Sequence, residues 1–271
     1  MSAELHRTVR VADVMGMVIS VHVLTHAPTV AGVDDATADA FAELRDIDRV
    51  FSTYRSDSDV SRLRRGELTL AAADPRVAEV ARACEEAEAV TRGLFSARFG
   101  GAFDPTGYVK GWAVESVARG HLGALLENAD VAAWAINAGG DMQVATAAGL
   151  DRDWRVGIAD PARPGQLAAV VELRDGAVAT SGTAERGAHI LDPRTGRAAL
   201  GATSSTVVAD SLAVADVWAT VGVVAGIDDL GWIRECPGRS GMVIGAGGRT
   251  RRWVSGVEVA AAAGDPFRVS A

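Results

Sequence analysis

Asp216 and Thr220 stand four residues apart in Ala215-Asp216-Val217-Trp218-Ala219-Thr220, a spacing that puts a carboxylate and a hydroxyl on one face of a helix. Their neighbours Leu212, Val214, Val217 and Val221 are apolar. Two oxygens on an otherwise apolar helix suit a hard cation such as Mg2+, which takes a few protein oxygens and completes its shell with phosphate or water. An acidic residue beside a threonine bonded back to its own helix satisfies the same spacing. His189 comes just before Asp192-Pro193-Arg194-Thr195-Gly196, a run of turn formers. An imidazole there can serve as a general base near neutral pH or as a structural hydrogen bonder. The run Phe99-Gly100-Gly101-Ala102-Phe103-Asp104-Pro105-Thr106-Gly107 precedes a helical pattern, and glycine-rich loops at helix N-termini bind anions. Asn137-Ala138-Gly139-Gly140-Asp141 fits either close backbone approach to a ligand or a turn with positive φ.

Other motifs carry less. Gly245-Ala246-Gly247-Gly248 has no strand-helix-strand context for a dinucleotide, and Thr180-Ser181-Gly182 lacks the flanks of a nucleophile elbow. Of 27 basic residues one is a lysine, Lys110. Arginine-rich codon usage accounts for the composition as a whole, but an ammonium and a guanidinium are not interchangeable at a tight site.

The elements that must position these groups follow from periodicity. Residues 36–51 place Phe41, Leu44, Ile47 and Phe51 on one helical face. Asp74-Pro75 reads as an N-cap with a first-turn proline, opening a helix that ends near Gly93 with Val77, Val80, Cys84 and Ala87 as its core stripe. A helix from about Val109 follows the glycine-rich loop. Residues 14–24, 134–137, 154–158, 168–173, 177–180 and 203–208 read as strands, residues 210–224 as a long helix, a short helix holds Leu230 and Ile233, and residues 240–246 and 252–259 close as strands. The apolar stretch 206–226 carries Asp210 and Asp216, which are costly at a membrane centre; a strand running into a buried helix is expected, with no membrane span.

Composition narrows the class. The chain has 271 residues, 48% of them apolar, enough for one large core. A net charge of −8 without basic runs argues against nucleic acid as a partner. Two cysteines, Cys84 and Cys236, without paired spacing encode neither a zinc cluster nor a disulfide framework. The polar start lacks a signal sequence, and a cytoplasmic location is expected. No repeat or linker divides the chain, so residues 1–271 are read as a single α+β domain.

Seven motifs in register resemble one family. Met15-Gly16-Met17, Phe51-Ser52-Thr53-Tyr54, Phe103-Asp104-Pro105-Thr106-Gly107 with Lys110-Gly111, Asn137-Ala138-Gly139-Gly140-Asp141, Thr180-Ser181-Gly182, His189-Ile190-Leu191-Asp192-Pro193-Arg194-Thr195-Gly196 and Ala215-Asp216 with Ala219-Thr220 together resemble the ApbE family of FAD:protein FMN transferases. The resemblance implies a fold of mixed or antiparallel sheets with flanking helices and an FAD cleft between two lobes. It implies a Mg2+-dependent (or Mn2+-dependent) transfer of FMN from FAD to a threonine or serine hydroxyl of an acceptor flavoprotein, with release of AMP. FAD pyrophosphate hydrolysis to FMN and AMP, or flavin binding without turnover, are the alternatives. By the same likeness Asp216, Thr220 and the Gly107 carbonyl would hold the metal; Met15, Tyr54, Leu94, Phe95, Ser96, Asp104, Lys110 and Ile190 would contact FAD; and His189 would deprotonate the incoming hydroxyl. Tyr54 and Phe95 offer flat faces for an aromatic ring system. Met17 and Ser96 depart from the family pattern, which often has threonine and aspartate there. Gly201-Ala202-Thr203-Ser204 resembles the acceptor tetrapeptide of the family's targets, which makes self-modification or a plain strand the two readings of that segment.

Overall fold

The computed structural model describes residues 4–99, 101–182 and 190–260. The chain opens with a hairpin, β1 (His6–Val14) and β2 (Met17–Thr25), followed by α1 (Val33–Phe51), α2 (Asp59–Arg64) and α3 (Pro75–Val90). A short pair, β3 (Arg98–Phe99) and β4 (Ala102–Phe103), leads into α4 (Thr106–Val117). Next come β5 (Val131–Ala138), β6 (Asp141–Thr146), β7 (Trp154–Ala159), β8 (Leu167–Leu173) and β9 (Gly176–Gly182). After the short pair β10 (Leu191–Asp192) and β11 (Arg197–Ala198), the chain forms β12 (Ser204–Ala209), α5 (Leu212–Ala225), β13 (Ser240–Ile244), β14 (Thr250–Val254) and β15 (Val257–Val259).

Among the described residues, nine strands form one sheet in the order β1-β2-β5-β6-β9-β12-β13-β14-β15, and each neighbouring pair is antiparallel. Successive side chains therefore point to opposite faces, and both faces of the central strands are covered. Ala177 and Ala179 of β9, Val207 and Ala209 of β12 and Val243 of β13 join the core made with α1, α3, α4 and α5. Val178, Val208, Met242 and Ile244 point the other way, into a second core under the β7–β8 hairpin with Val156, Ile158, Val171 and Leu173. The expected α+β class and antiparallel arrangement hold. No helix among the described residues is long and apolar enough to cross a membrane.

The helices carry the signals that the sequence suggested. Asp74 caps α3 by accepting from the Arg76 N–H at 3.0 Å, with Pro75 in the first turn. α1 buries Phe41, Leu44, Ile47 and Phe51. The apolar stretch 206–226 splits as expected into β12 and α5, divided at Asp210-Ser211. Three expectations need correction. The stretch 1–10, read as a polar start, leads into and partly forms β1 (His6–Val14): as an edge strand with one partner it keeps Val9 and Val11 exposed, so it lacks a buried alternating face. The strand expected over 14–24 begins only at Met17, because Met15 and Gly16 form the hairpin turn with φ of 56° and 69°. Residues 252–259 are a hairpin, turning at Ser255 and Gly256 with φ of 48° and 75°, and β6 was not anticipated at all.

The two helices that matter most for the site meet at a glycine. A Cβ added to Gly111 of α4 would lie 2.8 Å from the Leu212 carbonyl oxygen and 3.0 Å from Ala213 Cα and Asp216 Cβ, distances at which α4 and α5 must separate. The Gly111→Ala variant is expected to lose about 1–3 kcal/mol by overpacking, read as a lower urea midpoint. An unchanged midpoint would show that this crossing is not tight.

Candidate functional site

α5 starts where Ser211, with extended backbone, accepts from the Val214 N–H at 3.2 Å. Ser211 also donates to Glu115 of α4, whose carboxylate receives the Ala213 N–H at 3.1 Å. One carboxylate thus ties the start of α5 to α4, and the acid sits where the helix dipole favours negative charge. The tie and the missing side chain at Gly111 bring α4 against α5. The Gly111 N–H then donates to Asp216 Oδ2 at 3.2 Å.

Lys110, one residue earlier, sends its Nζ to Asp216 Oδ1 at 3.2 Å and donates to Asp141 Oδ2. Asp141 comes from the β5–β6 turn: Gly139 and Gly140 take φ of 60° and 97°, and Asn137 Oδ1 accepts from the Gly140 N–H at 2.9 Å. Asn137-Ala138-Gly139-Gly140-Asp141 thus forms a turn with positive φ. That turn drops Asp141 onto the first position of β6, 2% exposed, where its Oδ1 accepts from the Thr180 N–H at 2.9 Å. Asp216 is equally buried, 3% exposed. Burial and the nearby Asp141 push its carboxyl above the ordinary range, against the pull of Lys110 and the Gly111 N–H. For Lys110 burial opposes the charge, but the two carboxylates prevail and hold the ammonium well above its ordinary range.

Thr220 lies one turn beyond Asp216, on the same face of α5. Its hydroxyl meets Ser181 Oγ of β9 at 3.1 Å, so it pairs across to the sheet rather than back along its helix. Thr180 and Thr206 hydroxyls lie 2.9 Å apart on the other face of the sheet, the side of Val178 and Val208. A polar strip of one ammonium, two carboxylates and the Thr220 and Ser181 hydroxyls therefore runs between α4, α5 and the sheet.

Gly107 lies one turn before Gly111 on α4, and a Cβ there would be 3.3 Å from the Phe95 ring. Phe95 is only 2% exposed, so it is packing beneath α4 and not the open aromatic face expected; Tyr54, at 95% exposure, is open. Asp104 stands one residue before Pro105, the N-cap of α4, and accepts from the Thr106 N–H at 3.1 Å, with Arg64 3.6 Å from its other oxygen. Leu94 and Ile190, far apart in sequence, share a small cluster with Ala199, Val223 and Val224. Ser96 donates to Glu88 at 3.0 Å and accepts from the Arg98 N–H at 3.1 Å. Met15 packs partly buried against the main core, and Met17 beside it touches the Gly139 position, so the first motif and the Asn-Ala-Gly-Gly-Asp turn are neighbours. His189 lies outside the described residues.

Two side readings resolve. Thr203 donates its hydroxyl to the Ile244 carbonyl at 2.9 Å and Ser204 opens β12 buried, so the Gly201-Ala202-Thr203-Ser204 segment is a strand lead-in with its hydroxyls inside the fold. Cys84 and Cys236 are buried, and burial pushes both thiols up to about 12, as expected of core packing. The residue that motif reading passed over as a site member is Asp141. Its signal was an acid closing a glycine turn directly ahead of a strand.

Comparison with known proteins bears on this arrangement. The family model described as the ApbE family matches residues 15–104 and 97–243. The chain belongs to the ApbE family. An FAD:protein FMN transferase of Rhodobacter capsulatus is 44% identical over 103 residues, 35% of this chain and 19% of that protein. One of Salmonella typhimurium is 30% identical over 122 residues, 41% of this chain and 35% of that protein. The aligned stretches thus span about a fifth to a third of these relatives' own length. The fold is shared with the ApbE protein of Thermotoga maritima, TM-score 0.74 at 21% identity over 92% of this chain and 97% of that one. It is also shared with the flavin transferase ApbE of Vibrio cholerae, TM-score 0.73 at 18% identity over 93% and 98%. Both ApbE family matches together take in every predicted site residue from Met15 to Thr220.

The carboxylate of Asp216 and the hydroxyl of Thr220 are oxygen donors of the kind that a hard cation takes. Among the described residues no three His, Cys, Asp or Glu side chains gather to hold a metal. A cation at Asp216 would therefore take mixed oxygens, a carboxylate with a hydroxyl and a carbonyl, and leave the rest of its shell to phosphate and water, as Mg2+ does.

Removing the shared ammonium exposes what it does for the fold. Lys110→Met leaves two buried carboxylates facing each other and is expected to cost roughly 3 kcal/mol in urea unfolding without added metal. Adding Asp141→Asn to the same chain should recover part of that loss. A Lys110→Met variant as stable as the parent would show that the trio is solvated and uncoupled.

Proposed function

We propose that this protein is a Mg2+-dependent FAD:protein FMN transferase that moves FMN from FAD onto a threonine or serine hydroxyl of an acceptor protein and releases AMP. The observation that carries the reading is the convergence of Asp216, Thr220 and Lys110 at the crossing of α4 and α5, next to the loop that opens α4. Opening a pyrophosphate requires its oxygens to be neutralised and held in line. A bound Mg2+ supplies Lewis-acid charge neutralisation at the phosphates. Asp216 and Thr220 would hold it, with the Gly107 carbonyl from the first turn of α4. Lys110 adds a second positive charge beside the same phosphates. The α4 N-terminus, which follows Asp104-Pro105, presents backbone N–H groups toward the loop where anions are favoured.

The acceptor hydroxyl is a weak nucleophile at neutral pH, and His189 is the residue proposed to take its proton. Tyr54 is the aromatic side chain open to a ring system, while Met15, Leu94, Ser96 and Ile190 would line the remainder of the FAD site. Phe95 contributes from below, by holding α4 in place.

The deciding experiment incubates the protein with FAD, Mg2+ and an acceptor domain, reading intact mass and AMP. A gain of one FMN on the acceptor with one AMP released is the expected result. AMP and free FMN without a labelled acceptor would replace the transferase by a pyrophosphatase, and bound FAD with neither product would leave a flavin-binding protein. Asp216→Ala is expected to abolish Mg2+-dependent turnover, and full activity in it would remove the metal assignment. His189→Ala should slow transfer by about 100-fold or more with FAD affinity retained; an unchanged rate would return His189 to a structural role.

A further inference from the structure

Lys110 and Asp216 are each assigned to substrate or metal in the proposed function, yet in the structure they are bonded to each other. Asp216 Oδ2 receives the Gly111 N–H, so Oδ1, the oxygen that meets Lys110, is the one left for an incoming cation. Asp141 is held differently. Its Oδ1 is fixed by the Thr180 N–H and its Oδ2 takes the Lys110 ammonium. Resting on the transferase reading, we propose that Lys110 is a resident counter-cation that a divalent metal displaces from Asp216. We further propose that Asp141 is the positioning residue that retains Lys110 at the site once it is displaced.

Charge and burial both require such a device. Two carboxylates 2% and 3% exposed would be costly to bury without a cation, and one ammonium between them keeps the locus at a net single negative charge before metal arrives. A divalent cation then brings the locus to a net single positive charge, the sign wanted against a pyrophosphate. Lys110 keeps its bond to Asp141 and has a donor free for the substrate. The side chain is partly open, 26% exposed, so it has room to turn. A lysine suits this exchange because its ammonium is a compact point charge with three donors on a flexible stem, whereas a guanidinium fork would clamp both carboxylates. That accounts for a lysine at this position in a chain whose other basic residues are arginine.

The test is Mn2+ binding to the flavin-free full-length protein, read from the spin-resonance signal of free Mn2+ in the parent, Lys110→Met, Asp141→Asn, the double variant and Lys110→Arg. Removing the competing ammonium should tighten Mn2+ by about fivefold or more. Asp141→Asn should weaken it, because Lys110 then has Asp216 as its only carboxylate partner. The same Asp141→Asn change should have little effect on the Lys110→Met background, since Asp141 acts through Lys110. Lys110→Arg, which keeps the charge and serves if Lys110→Met does not fold, should weaken Mn2+. Additive effects of the two single changes, or parent-like affinity in Lys110→Arg, would reduce the trio to a general electrostatic field and overturn the inference while leaving the metal site intact. Absence of Mn2+ binding in every form would overturn the metal reading and this inference together.

Discussion

One ammonium lodged between two buried carboxylates sets the terms for the rest of the site. Neither Asp141 nor Asp216 can sit inside the protein uncompensated, and Lys110 compensates both because three separate elements deliver the groups to one point. α5 brings Asp216, α4 brings Lys110, and the β5–β6 turn brings Asp141. Each delivery has a local cause: the Ser211 cap and Glu115 tie at the start of α5, the bare Gly111 that admits α5 to α4, and the glycine pair with positive φ ahead of Asp141. The three causes are independent in sequence and meet in one electrostatic requirement.

The sheet serves this meeting point. Because its central strands are covered on both faces, β9 can present the Ser181 hydroxyl on its helix side without opening the layer to bulk water. The second core under the β7–β8 hairpin takes no direct part in the site, but it fixes the alternate residues of those same strands. Polar residues on one face of a strand are thus stabilised by apolar residues on the other.

Much of this was legible from residue order. Helical spacing placed Asp216 and Thr220 on one face, and they are there. The Asp74-Pro75 cap, the stripe of α1 and the division of the apolar stretch 206–226 all followed from local chemistry. What sequence left out has physical reasons. β1 lies at an edge with exposed valines and arginines, so no buried alternation marks it. Phe95 looked like a binding face because its ring is large, but burial under Gly107 is a tertiary fact that no local pattern carries. Asp141 was visible only as the end of a turn; its pairing depends on Lys110, 31 residues away, and on Thr180, 39 residues away. Ser181 was read only as part of a motif, and its bond to Thr220 depends on how α5 lies across β9.

The contact between Gly111 and Asp216 joins residues 105 positions apart. Closing so long a loop is entropically unfavourable until the surrounding sheet and helices reward it, so the charged centre belongs to the late, cooperative part of folding. During synthesis Lys110 emerges well before Asp216. The completed trio therefore also reports the maturity of the chain: an Asp216 paired with Lys110 exists only in a molecule whose β12–α5 unit has docked onto α4.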